Sequence, residues 1–263
     1  MAHIMLAKEV PVVDLQCDTC DLSAEVGFAL QRFGFFYVKN HGVHGSLIDN
    51  QFDQSRKLFD LPAATKRKLT FNVTLDIGYT GGSGQAQALD ETQDVLQAAD
   101  TKEGFMLTNN AVMDEPYPPV RAADPLAGAT LRWPPGIPGY KRAIRSYFAA
   151  TYALNRKLND LLFESLDIDE PERARLGSTP FAVLKQMRYE GTATARAATN
   201  GSLGAGAHAD WGSLTILATD GTPGLQVELE GSWLPVPPKE GCLIINAGDQ
   251  IEALTNGARW SGG

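Results

Sequence analysis

The feature that most constrains this chain is a change in hydrophobic period along its length. Before about residue 166 apolar residues recur at helical spacing, and beyond Pro180 they alternate. Leu22, Val26, Leu30 and Phe33 predict a helix that stops at Gly34. A second helix is predicted from about Ser46 to Phe59, ended by Leu61-Pro62, and a long one from Tyr140 to Leu166. Val10 to Leu15 and Phe35-Phe36-Tyr37-Val38 read as short buried strands, the second closed by the turn Asn40-His41-Gly42. After Pro180 the side chains of Phe181, Val183, Met187 and Tyr189 are expected on one face of a strand. Shorter strands follow at Leu214 to Ala218, Leu225 to Leu229, Trp233 to Val236 and Leu243 to Asn246. The order is helices first and β second, and short strands at this spacing suggest a sandwich, jelly roll or barrel.

Residues 72–136 break the pattern. Gly78, Gly81, Gly82, Gly84, Pro116, Pro118, Pro119, Pro134 and Pro135 crowd this stretch, which reads as irregular and therefore as functional. No Gly/Ser-rich linker divides the chain. The expected organisation is 1–136 as an N-terminal helical region with an irregular loop or lid, and 137–263 as the long helix plus the β core. The two are expected to form one compact unit.

Composition narrows the function classes. With 43% apolar and 21% charged residues in 263 positions, the chain can bury a core and is neither disordered nor fibrous. No apolar run approaches the roughly 18 residues of a spanning helix. A net charge of -8 lacks the basic footprint of a nucleic-acid binder and argues against anionic membrane surfaces. Three cysteines do not make a disulfide framework, so a reducing, cytoplasmic setting is expected. Cys17 and Cys20 form a C-x-x-C without a second pair to complete a zinc site. Asp14, Asp18 and Asp21 around them oppose a thiolate, and two ordinary thiols are expected there.

Of four histidines, only His208 lies in the β region, within Gly204-Ala205-Gly206-Ala207-His208-Ala209-Asp210-Trp211-Gly212. On a strand His208 and Asp210 project from one side, imidazole beside carboxylate. That is two-thirds of the two-His, one-carboxylate set that holds non-haem Fe(II) and leaves coordination positions open. An H-x-D triplet alone is weak evidence, and on these residues alone a His–Asp hydrogen bond within a sheet is the better reading.

The surroundings change that weighting. The H-x-D segment resembles the Fe(II)/2-oxoglutarate-dependent dioxygenase superfamily, in its isopenicillin N synthase-like branch. So do Leu214-Thr215-Ile216-Leu217, Gly224-Leu225-Gln226-Val227, Trp233-Leu234-Pro235-Val236-Pro237-Pro238 and Asn246-Ala247-Gly248-Asp249, in the family's order. The N-terminal part is similar too, at Val10 to Leu15, Gly34 to Val43 and Phe59-Asp60-Leu61-Pro62. Gly78-Tyr79 and Lys102-Glu103-Gly104-Phe105 resemble the central loop.

The resemblance implies a mixed α+β fold, a double-stranded β-helix (jelly roll) with N-terminal helices packed on it. It implies Fe(II), with 2-oxoglutarate as cosubstrate and O2. Oxidative decarboxylation of the cosubstrate to succinate is coupled to hydroxylation or a related oxidation of a small molecule. His208 and Asp210 match the first two iron ligands. Tyr189 matches a position near the cosubstrate, with a core aromatic as the equal alternative. Asn246 and Asp249 match a structural turn, and His41 a structural strand end. Lys102 and Phe105 fall where relatives line the pocket, although a solvated Lys and a core Phe are the better reading.

The chain departs from the family in one respect. A second histidine is expected shortly after a turn of the Thr255-Asn256-Gly257 type, with an Arg and a Ser beyond it. Here the sequence continues Ala258-Arg259-Trp260-Ser261-Gly262-Gly263 and carries no histidine after Asp210. Arg259 precedes the place of the missing histidine and is not the family's Arg. The expectation is that the sequence is incomplete at its C-terminus. Three other readings stand beside the oxygenase: an iron oxidase of the same branch that uses no 2-oxoglutarate, a non-catalytic jelly-roll binding protein, and a dithiol redox protein using Cys17 and Cys20.

Overall fold

Phe35 to Val38 are apolar on both faces, as are Leu243 to Ile245, and runs of that kind are stable only where both faces of a sheet are covered. The computed structural model describes residues 9–72, 77–81, 102–113, 131–177, 181–189, 208–229 and 231–255. In chain order its elements are β1 (Val12–Asp14), α1 (Leu22–Phe33), β2 (Phe35–Lys39), α2 (Gly45–Phe59), α3 (Ala63–Arg67), β3 (Thr70–Asn72), β4 (Ile77–Thr80), β5 (Lys102–Thr108) and α4 (Asn109–Met113). Then come α5 (Tyr140–Ser165), α6 (Glu170–Leu176), β6 (Val183–Tyr189), β7 (Leu214–Leu217), β8 (Gln226–Leu229), β9 (Ser232–Pro235), β10 (Cys242–Ala247) and α7 (Asp249–Leu254). Contacts divide the chain into two compact units that alternate along the sequence. One comprises 1–48, 149–180 and 207–263, the other 49–148 and 181–206.

The first unit is built on a four-stranded sheet in the order β1-β2-β10-β7. β1 runs parallel to β2, and β10 lies antiparallel to both β2 and β7. Every residue of β10 after Cys242 is buried, Ile245 completely. Val10, Phe35, Tyr37, Val227, Val236 and Ile244 form one cluster that joins this sheet to the β8–β9 hairpin, and the Tyr37 hydroxyl donates to the Pro237 carbonyl at 2.6 Å. α1 starts where the Asp21 carboxylate accepts the Ala24 N–H at 3.0 Å, and ends at Gly34 with φ 69°, a left-handed cap that glycine adopts without strain. Its buried stripe is Val26, Ala29, Leu30 and Phe33, the helical spacing seen in the sequence.

The second unit holds an antiparallel sheet in the order β3-β4-β5-β6. Here two expectations are corrected. The stretch 72–136 is not uniformly irregular: β5 pairs with β6 along all seven residues, from Lys102↔Tyr189 to Thr108↔Val183. Backbone pairing outweighs a Lys, a Glu and a Gly in the strand. Residues 82–101 and 114–130, where the lid was expected, lie outside the described residues. The second correction concerns β6, whose apolar alternation does not mark the buried face. Phe181 is 71% exposed, Val183 42% and Tyr189 50%, whereas Gln186 is buried.

The inward face of β6 is set by hydrogen bonds. Tyr140 donates its hydroxyl to Gln186 Oε1, Gln186 Nε2 donates to Ser55 Oγ at 2.6 Å, and Ser55 donates to the Gln51 carbonyl at 2.9 Å. Two residues on, Arg188 donates to Asp60 at 2.7 Å and pairs with Glu103. Glu103 also receives Lys66 at 2.6 Å and the Tyr79 hydroxyl at 2.7 Å. Burial alone would raise the Glu103 pKa, but its hydrogen bonds to Lys66 and Tyr79 and the charge of Arg188 hold it below the ordinary value. Burial, and then Glu103, push the Tyr79 phenol upward.

Cys17 and Cys20 correct a further expectation. They are joined as a disulfide in the turn before α1 rather than left as two thiols, while Cys242 is free.

Candidate active site

His208 and Asp210 lie just ahead of β7, in a stretch with no regular structure that bends at 211–213. Strand alternation, the expected reason for their facing one another, does not hold, since the pair is not on a strand. They meet nonetheless: His208 Nε2 is 3.8 Å from Asp210 Oδ1. The His208 side chain is largely exposed and that of Asp210 one-third exposed, so a ligand from solvent reaches both.

What holds this loop comes from the far end of β10. Asn246 Nδ2 donates to Asp210 Oδ2 at 2.7 Å. The Asp249 N–H donates to the Asp210 carbonyl at 2.8 Å, the Gly248 N–H to the Ser213 carbonyl at 2.9 Å and the Gln250 N–H to the Gly212 carbonyl at 3.3 Å. The first amides of α7, which have no partner inside their own helix, are thus satisfied by carbonyls of the loop that carries His208 and Asp210. Gly248 is required by this fit. A Cβ there would lie 2.2 Å from the Gly212 carbonyl oxygen and 2.6 Å from that of Asp210.

The contact of Asn246 with Asp210 is one that sequence reasoning misses, because the motif places Asn246 with Asp249 in a structural turn. The available signal is a lone amide in the otherwise apolar run Cys242-Leu243-Ile244-Ile245-Asn246-Ala247. A buried polar group on a central strand needs a partner, and here the partner is a carboxylate.

The other residues singled out fall as follows. Tyr189 ends β6, opposite Lys102, and at 50% exposure it is not a core aromatic. Phe105 is wholly buried, edge-on to Tyr140 with centroids 6.5 Å apart, and is a core residue. His41 sits in the turn after β2, where its Nδ1 accepts the Val43 N–H at 3.1 Å; partial burial lowers its pKa. Gly204 to Ala207 and Arg259 lie outside the described residues. A groove of 580 Å³ lined by Ser23, Gly27, Phe28, Glu164, Ser165 and Asp167 includes neither His208 nor Asp210.

The donor chemistry can be tested against non-haem iron. One imidazole nitrogen and one carboxylate oxygen are the donor types of a two-His, one-carboxylate site, and Asp210 has one oxygen tied and the other turned toward His208. The pair fits two of the three protein positions. No group of three or more His, Cys, Asp or Glu side chains able to hold a metal occurs among the described residues.

Comparison with known proteins agrees with that chemistry. Residues 10–134 match the profile of the non-haem dioxygenase in morphine synthesis N-terminal family, and residues 184–261 that of the 2OG-Fe(II) oxygenase superfamily. The chain is 31% identical to the azadirone synthase LFS of Melia azedarach over 265 residues, 95% of this chain and 76% of that protein. It is 30% identical to the kihadalactone A synthase LFS of Citrus sinensis over 269 residues, again 95% and 76%. A full-length Neurospora crassa protein, crystallised in complex with alpha-KG and thymine, superposes with a TM-score of 0.76 at 22% identity, covering 96% of this chain and 77% of that one. The fold is therefore the expected one, a mixed α+β double-stranded β-helix with N-terminal helices. The chain belongs to the 2OG-Fe(II) oxygenase superfamily, enzymes that use Fe(II), 2-oxoglutarate and O2 to oxidise their substrates.

Proposed function

We propose that His208 and Asp210 are two of the iron's protein ligands in this oxygenase, and that Tyr189 lies beside the cosubstrate. The observation that carries the reading is the 3.8 Å approach of His208 Nε2 to Asp210 Oδ1, with the second carboxylate oxygen already held by Asn246. When bound, Fe(II) with 2-oxoglutarate and O2 supplies the oxidising chemistry, yielding succinate and carbon dioxide. The chain's own part is to present one imidazole nitrogen and one carboxylate oxygen from a loop pinned at three carbonyls. Tyr189 stands half exposed at a strand end, and a phenol hydroxyl is a donor of the type that a carboxylate accepts.

The substrate is a small organic molecule, a class that includes the thymine of the Neurospora crassa complex. A net charge of -8 supports a partner that is neither nucleic acid nor membrane surface. No helix among the described residues is long and apolar enough to cross a membrane. The free Cys242 favours a cytoplasmic setting and the Cys17–Cys20 bond speaks against it. In chain order, we keep 1–136 as the helical and lid part and 137–263 as the oxygenase core.

The test is Fe(II)-dependent succinate release from 2-oxoglutarate. Asp210→Ala is expected to abolish it, and unchanged turnover removes Asp210 as a ligand. In the same assay Tyr189→Phe raises the KM for 2-oxoglutarate if the hydroxyl meets the cosubstrate, and leaves it unchanged if it does not.

A further inference from the structure

We infer that Asn246 is a positioning residue for the Asp210 carboxylate, setting it to offer the metal a single oxygen. This rests on the reading of His208 and Asp210 as iron ligands and goes beyond it, because Asn246 acts through Asp210 and is not itself a ligand. A carboxylate only accepts hydrogen bonds, so the group at 2.7 Å from Oδ2 is the Asn246 NH2. A charge-assisted bond of this kind fixes both the position and the rotation of the carboxyl plane. With Oδ2 occupied, Oδ1 is left facing His208 at 3.8 Å. A carboxylate with both oxygens free can chelate, and would then take a coordination position that the cosubstrate or O2 needs.

The support behind Asn246 is rigid. It is 8% exposed and stands on β10, opposite Phe35 of β2 on one side and Thr215 of β7 on the other. Two residues on, Gly248 admits the ligand loop to a distance no side chain would allow, and the Asp249 amide holds the Asp210 backbone. Side chain and main chain of Asp210 are therefore both anchored to the same turn. Losing an outer partner of a metal ligand typically costs about 10–100-fold in metal affinity.

The experiment is a Co(II) titration followed by visible absorption, on the wild type, Asp210→Ala, Asn246→Leu and Asn246→Ser. Leu is close to Asn in size and has no donor. Ser keeps a hydroxyl donor but is too short to reach the same oxygen. Asn246→Leu is expected to weaken Co(II) binding by about 10–100-fold and to shift the Co(II) bands, since the carboxylate becomes free to bind through both oxygens. A purely structural role would lower the yield of folded protein without moving the bands. Asn246→Leu or Asn246→Ser with affinity within about twofold of wild type and an unchanged spectrum would overturn the inference. If Asn246→Leu does not fold, Asn246→Ser decides it on the same criteria. Wild-type affinity in Asp210→Ala is a different failure, because it removes the ligand assignment on which the inference stands.

Discussion

β10 and β6 are both strands of six or seven residues, yet opposite forces place them. β10 is central in its sheet, and its apolar residues are buried on both faces. β6 borders only β5 among the described residues, leaves Val183 and Tyr189 half in solvent, and turns Gln186 and Arg188 toward hydrogen-bond partners. Apolar burial therefore fixes the first strand, and satisfied polar groups fix the second. The candidate site combines the two, since an apolar central strand delivers one amide, Asn246, to one carboxylate.

The contrast can be broken by substitution. The largest effect is expected where the second unit buries charge. Lys66→Met leaves Glu103, in a side chain 15% exposed, without its buried cation, and should destabilise by about 3–5 kcal/mol in urea unfolding. The same network gives a pH signature. Because Glu103 titrates below its ordinary value of 4.5 when folded, its contribution is complete above that pH and is lost as the pH falls through the lower folded value. The urea midpoint of the wild type should drop in that acid window, and Glu103→Gln should flatten the drop.

Next is Ile245→Ala in β10, a fully buried side chain whose loss should cost about 2–5 kcal/mol. In β6 the sensitive position is polar. Gln186→Leu keeps the volume but takes the acceptor from the Tyr140 hydroxyl and one donor from Ser55, whose own bond to the Gln51 carbonyl remains, for about 1–3 kcal/mol. The smallest effect should come from Val183→Thr, within about 0.5 kcal/mol, because Val183 is 42% exposed. A Val183→Thr penalty as large as that of Gln186→Leu would mean that the apolar face of β6 is covered in solution, and the contrast would fail.

How much was legible follows the same line. β2, β10, α1 and α5 could be read because apolar spacing is what buries them, and α2 could be read although Gln51, Gln54 and Ser55 share its buried face with Leu58 and Phe59; the bounds of all five differ from expectation by no more than one residue at each end. β5 was hidden, since Lys102-Glu103-Gly104 carries no strand signal and the strand exists through its pairing with β6. The inward face of β6 was hidden because Gln186 is turned in by Tyr140 and Ser55, each far away in sequence. At the site, the H-x-D pair and its family context were visible. The hold on Asp210 was not, as Asn246 lies 36 residues further on and meets it only in the folded chain.

The most direct test of the central claim is anaerobic addition of 2-oxoglutarate to the Fe(II)-loaded protein, followed by visible absorption. A metal-to-ligand charge-transfer band should appear in the wild type, saturate with cosubstrate and be lost in Asp210→Ala. A wild type that gives no band at saturating Fe(II) and 2-oxoglutarate, or an Asp210→Ala variant with the same band, would contradict the assignment of iron and cosubstrate to His208 and Asp210.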